Sequence, residues 1–80
     1  MALTDTEMAM LDLERSWFTY AATKDEAISD RFGMTPTAYY QALNALIDRP
    51  DALVADPLTV RRLVRMRDRR RAERASRRVI

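Results

Sequence analysis

The chain has 80 residues with no cysteine, no histidine and a single glycine, Gly33. That length makes one small domain with a modest core. The composition removes the usual ligands of zinc, haem and iron–sulfur centres, the cysteine nucleophile and the histidine base. One glycine cannot build a Gly-rich phosphate loop. We therefore expect no metal, no cofactor and no enzyme. The net charge of +2 conceals a division: residues 1–56 carry −6, and residues 57–80 carry +8, with ten arginines against Asp68 and Glu73. Such asymmetry points toward a polyanionic partner, nucleic acid or an anionic membrane surface.

Nothing in the opening Met-Ala-Leu-Thr-Asp-Thr-Glu reads as a signal sequence, and no apolar run approaches the ~20 residues that span a bilayer. A cytoplasmic location is expected, and the absence of cysteine is compatible with a reducing compartment.

In chain order, Thr4 and Glu7 form a capping box ahead of a helix over about 5–21. Its apolar side combines Met10, Leu13, Trp17 and Tyr20 with Met8, Leu11 and Phe18, while Asp12, Glu14 and Arg15 are free to stay in water. Thr23 and Glu26 repeat the cap for a short helix over about 24–32 that buries Ala27, Ile28 and Phe32. Gly33 supplies the left-handed residue that ends it. Thr35 and Pro36 start a third helix, to about Ile47, with Tyr39, Ala42, Leu43, Leu46 and Ile47 inward. Asp48-Arg49-Pro50-Asp51 is a break, Ala52–Ala55 reads as one helical turn, and Asp56-Pro57 opens a further helix. That helix begins apolar (Leu58, Val60, Leu63, Val64, Met66) and becomes an arginine run over 67–78. No strand pattern occurs. The expected fold is all-α: a three- to four-helix domain over 1–66, then an Arg-rich C-terminal helix extension or tail over 67–80.

Lys24–Leu46 has the organisation of a helix-turn-helix: a short helix, a tight glycine turn and a second helix. Ser29 stands four residues before Gly33, where the helices of such a motif approach closely, and Met34 plugs the turn. The alternative is an ordinary αα-hairpin ended by glycine. In a helix-turn-helix the third helix faces base edges, with Thr35, Thr37, Ala38, Tyr40, Gln41 and Asn44 outward. Gln41 and Asn44 suit adenine edges; Thr37 or Ala38 suits a thymine methyl. Against this, residues 35–47 contain no cation. Phosphate contacts then fall to Lys24, Arg49, Arg61, Arg62, Arg65, Arg69, Arg70, Arg71 and Arg74, arginine favouring bidentate pairing. The bland alternatives are a solvated helix end, or a basic segment folded against the acidic body.

Trp17, Phe18 and Tyr39 are expected in the core rather than as base-stacking surfaces, leaving Tyr40 as the one aromatic contact. A membrane-lying helix is disfavoured, because residues 67–78 set only small side chains opposite their charges. The adjacent acids Asp12/Glu14 and Asp25/Glu26 do not converge on a metal, and the helix dipole explains acids in a first turn.

The run Met10-Leu11-Asp12, Glu14-Arg15, Trp17, Tyr20-Ala21, Lys24, Ala27-Ile28, Arg31-Phe32-Gly33-Met34 and Tyr39-Tyr40-Gln41 resembles a short, mostly actinobacterial family catalogued as domain of unknown function 3263. The segment from Leu43 to Pro50, then Ala55-Asp56-Pro57-Leu58 and the arginine run, extends the likeness over nearly the whole chain. The resemblance implies a small intracellular helical protein with a helix-turn-helix-like centre, and it transfers no catalytic residue.

Two functions follow as expectations. The first is a small nucleic-acid-binding protein, a DNA-binding transcriptional regulator on double-stranded DNA. The second is an interaction module that contacts the transcription machinery without reading DNA. No exposed apolar seam for a dimer is evident in the sequence.

Overall fold

Each helix starts where the chain supplies an acceptor or a proline for the free amides of a first turn. The computed structural model describes residues 2–16 and 23–78, with side chains through Arg77. Thr4 Oγ1 accepts the Glu7 amide at 3.1 Å while Glu7 Oε1 accepts the Thr4 amide at 2.8 Å, opening α1 (Asp5–Ser16). That backbone hydrogen bond, helped by Arg49, holds the Glu7 carboxyl below its usual range. The expected continuation of this helix to residue 21, and the core positions given to Trp17, Phe18 and Tyr20, lie outside the described residues.

Thr23 caps α2 (Lys24–Phe32) by accepting the Glu26 amide. Gly33, at φ 63° and ψ 26°, ends it with its N–H on the Ser29 carbonyl. Thr35 caps α3 (Pro36–Ile47) through the Ala38 amide, with Pro36 where a missing N–H costs nothing. The turn Gly33-Met34-Thr35 lets α3 fold back on α2, and Phe32 meets Tyr39 with ring centroids 5.6 Å apart. Ser29 is exposed, so the close approach expected at that residue is not made by its side chain. A Cβ added at Gly33 meets nothing within 4 Å. Gly33→Ala is therefore penalised by the left-handed backbone alone, about 1 kcal/mol, and Gly33→Asn by less. Urea midpoints at unchanged m-value check this.

The expected break around Pro50 is shorter than the sequence suggests. Pro50 occupies the first turn of α4 (Pro50–Ala55), because the amide it lacks is one that no helix start uses. Asp56 then accepts the Thr59 amide at 3.3 Å and starts α5 (Pro57–Arg78). The described residues thus form five helices and no strand. The fold is all-α.

The core gathers Met10, Leu11 and Leu13 of α1, Ala27 and Ile28 of α2, and Tyr39, Leu43, Leu46 and Ile47 of α3 around Ala52, Val60 and Leu63. Fully burying a side chain of this size stabilises by ~1.5–3 kcal/mol before entropy is counted. Three residues expected inside are not: Met8, Leu58 and Met66 are exposed, while Thr59 is buried. From Asp68 to Arg77 every described side chain of α5 is exposed, although the helix continues unbroken. At ~1.5 Å per residue, roughly the last two to three turns of α5 extend beyond the packed body.

Candidate nucleic-acid interface

A polar cluster lies where α1, α2, α3 and α5 meet. Glu14, expected in water, is buried at 5% exposure. On a helix it falls four residues after Met10 and three after Leu11, inside the apolar arc. Its carboxylate accepts from the Tyr39 hydroxyl at 2.5 Å and pairs with the Lys24 ammonium at 2.7 Å. Arg62 donates to the Glu14 carbonyl at 2.6 Å. Burial, reinforced by the Glu14 carboxylate, pushes the Tyr39 phenol far above its ordinary value, so it stays a hydrogen-bond donor.

Beside this cluster a small cleft separates α3 from α5. Leu43 and Leu63 contribute apolar side chains, Tyr40 and Asn44 come from α3, and Arg70 and Arg74 come from α5. Lys24 also borders the cleft, its ammonium 5.2 Å from the centre of the Tyr40 ring. Arg67 ties the two walls together, donating to Asp48 at 2.8 Å and to the Asn44 carbonyl at 3.4 Å. Arg67 is not among the phosphate contacts that the sequence suggests. It lies seven residues after Val60 and four after Leu63, so it continues the inward stripe where apolar residues run out.

The base-facing candidates divide. Thr37, Gln41 and Asn44 share one stripe at i, i+4 and i+7, with Thr37 and Gln41 exposed and Asn44 half-buried. Tyr40 is half-buried, edge-on to Tyr39 with centroids 5.2 Å apart. Thr35 accepts the Ala38 amide as a cap, so one side of its hydroxyl is already used. The outer face of α3 has no cation of its own, and its stripe ends at Asp48, which Arg67 neutralises.

The cationic candidates divide more sharply. Lys24 is held by Glu14, Arg49 by Glu7 and Asp51, and Arg62 by a backbone carbonyl. The charges of Lys24 and Arg49 are thus largely balanced inside the protein, whereas the carbonyl holds the Arg62 guanidinium inward without neutralising it. Arg61, Arg65, Arg69, Arg70, Arg71, Arg74 and Arg77 are exposed and make no ion pair among the described residues. Among the described residues these seven arginines are therefore not paired with the carboxylates of the acidic body. Among the described residues, Arg67 is the one α5 arginine that reaches a carboxylate outside α5, and Asp68, its second partner, lies on α5 itself.

Among the described residues no three acids converge to hold a metal ion, and no helix is long and apolar enough to cross a membrane. No curated protein and no solved structure matches the chain. A family model, described as "Protein of unknown function (DUF3263)", matches residues 2–75, and the chain belongs to that family.

Proposed function

We propose that this protein binds nucleic acid, in the first instance double-stranded DNA, as a small transcriptional regulator. The observation that supports the reading is the row of exposed arginines on α5 that make no ion pair among the described residues. Arginine offers a rigid fork suited to phosphate, and a cationic helix clear of the body can follow a backbone groove. Arg70 and Arg74 also border the same cleft as Tyr40 and Asn44, so phosphate attraction and base-edge groups lie side by side. In this reading α2 and α3 act as a helix-turn-helix, with Thr37, Gln41 and Asn44 toward base edges and α5 supplying most of the affinity.

The test is binding of a labelled duplex across a salt series. Engagement of five to seven arginines gives a slope of log K against log salt of about −4.5 to −6.3, at ~0.9 per phosphate. A flat salt dependence, or no binding at low salt, removes the proposal.

A second reading, a module that docks on a protein of the transcription machinery, draws on the cation-free outer face of α3 and the exposed Asp25, Glu26 and Asp30 of α2. Capture of a defined partner that survives nuclease treatment and is lost on charge reversal of α2 distinguishes it.

A further inference from the structure

A larger concavity, of about 710 Å³, opens between α4 and the first turns of α5. Ile47 and Val60, both core residues, border it, and Leu53, Leu58 and Val64 are its other aliphatic side chains. Leu58 is 79% exposed and Leu53 40%, so water covers apolar surface in a domain with little to spare.

The charges on the rim do not cancel. Arg49, Arg61 and Arg65 border the groove against one aspartate, Asp48. Asp48 pairs with Arg67, and Arg49 pairs with Glu7 and Asp51. Arg61 and Arg65 are exposed and make no ion pair among the described residues. The charge left over is therefore positive and sits on the α5 wall, as two guanidinium groups one helical turn apart beside the leucines.

The occupant's chemistry follows from this pairing. A phosphate backbone satisfies the arginines and leaves Leu53 and Leu58 in water. A purely apolar segment covers the leucines and leaves both arginines without a counter-charge. A segment that does both sets carboxylates beside aliphatic anchors. Both walls are helical and the described residues offer no strand edge, so the complementary shape is a helix laid in the groove.

We propose that this groove docks an acidic amphipathic helix of a partner protein. Its aliphatic side chains cover Leu53, Leu58 and Val64, and two carboxylates one turn apart pair with Arg61 and Arg65. The inference does not depend on nucleic-acid binding and adds a second kind of partner. Arg61 and Arg70 stand about two and a half turns apart on α5, so the groove and the cleft bordered by Arg70 and Arg74 fall on opposite sides of that helix. Arg69, Arg70, Arg71, Arg74 and Arg77 stay available to phosphate while the groove is filled.

The probe is a synthetic helix-forming peptide of about 15 residues, with leucine at i, i+3, i+4 and i+7 and glutamate on both flanks, followed by fluorescence anisotropy against the full chain. The expected dissociation constant is on the order of 10–100 μM, as suits a small interface. A scrambled peptide, which keeps the charge and loses the apolar face, binds at least tenfold more weakly. Leu58→Asp weakens binding at least tenfold with an unchanged far-ultraviolet spectrum, since an acid suits the first turn of α5. Arg61→Glu with Arg65→Glu has a similar effect, and a peptide with lysine in place of glutamate recovers binding to that variant. No binding at millimolar peptide overturns the proposal, as does equal binding of the scrambled peptide or undiminished binding by Leu58→Asp. Displacement of the peptide by duplex DNA overturns it by giving the groove to nucleic acid. A dimer of the chain that the peptide dissociates overturns it by giving the groove to a second copy.

Discussion

Glu14→Ala lowers the unfolding free energy by about 3–4 kcal/mol, the lower half of the range for breaking a buried charge pair. The substitution strands two donors at once. The Tyr39 hydroxyl belongs to a side chain with no exposure, and Glu14 is the acceptor it meets among the described residues. The Lys24 ammonium loses its carboxylate but keeps a path to solvent, at 22% side-chain exposure, which is why the upper end of the range is not reached. A domain of this length has on the order of 4–12 kcal/mol in total, so the variant stands close to unfolding at 37 °C. Tyr39→Phe removes a single bond and leaves Glu14 paired with Lys24, costing about 1–3 kcal/mol. Glu14→Gln falls between, because an amide oxygen still accepts from Tyr39 while the charge opposite Lys24 is gone. Urea denaturation followed by circular dichroism ranks the three; a loss under about 1 kcal/mol for Glu14→Ala contradicts the role given to the cluster.

Neutralising Arg69, Arg70, Arg71 and Arg74 together to glutamine lowers duplex affinity at low salt on the order of 10³-fold, equally for all sequences. It also flattens the salt slope by about 3.6, four phosphates at ~0.9 each. Glutamine keeps helix propensity, and all four positions are exposed, so the melting temperature is unchanged. Gln41→Ala and Asn44→Ala act differently: each relaxes sequence preference by about 1–3 kcal/mol at one base pair and leaves the salt slope alone. The internally committed cations make the contrast. Lys24→Gln and Arg49→Gln cost folding stability and leave the salt slope nearly intact, because Glu14, Glu7 and Asp51 already hold those charges. Should Lys24→Gln flatten the slope as much as Arg70→Gln does, the division between internal and external cations is wrong.

The local signals in the sequence were accurate because the interactions they report span only a few residues. The Thr4–Glu7 box, the Thr23 and Thr35 caps, Pro36, and Gly33 in its left-handed conformation each stand where the sequence places them. Their hydrogen bonds join residues three or four apart. The inward stripe of α3 was equally readable, since Tyr39, Leu43, Leu46 and Ile47 fall on one side at helical spacing. Pro50 was harder. Proline breaks a helix interior and opens a helix start, and sequence position does not tell the two apart until α4 is seen to follow it.

The candidate site was legible in its residue types and only partly in their use. That α5 is basic is a matter of composition; that Arg62 and Arg67 turn inward while Arg61, Arg65, Arg70 and Arg74 do not is a matter of packing. By itself the sequence determined the all-α class, the caps of α1, α2 and α3, the turn at Gly33 and the separation of charge, all consequences of short-range geometry and residue count. Only the tertiary structure decided that Glu14 is buried against Tyr39 and Lys24, which cations are spent on internal partners, and that Leu53 and Leu58 are left outside beside a groove. Those outcomes depend on contacts between residues as many as 48 apart, such as Glu14 with Arg62, and no periodicity along one helix encodes what a different helix will press against it.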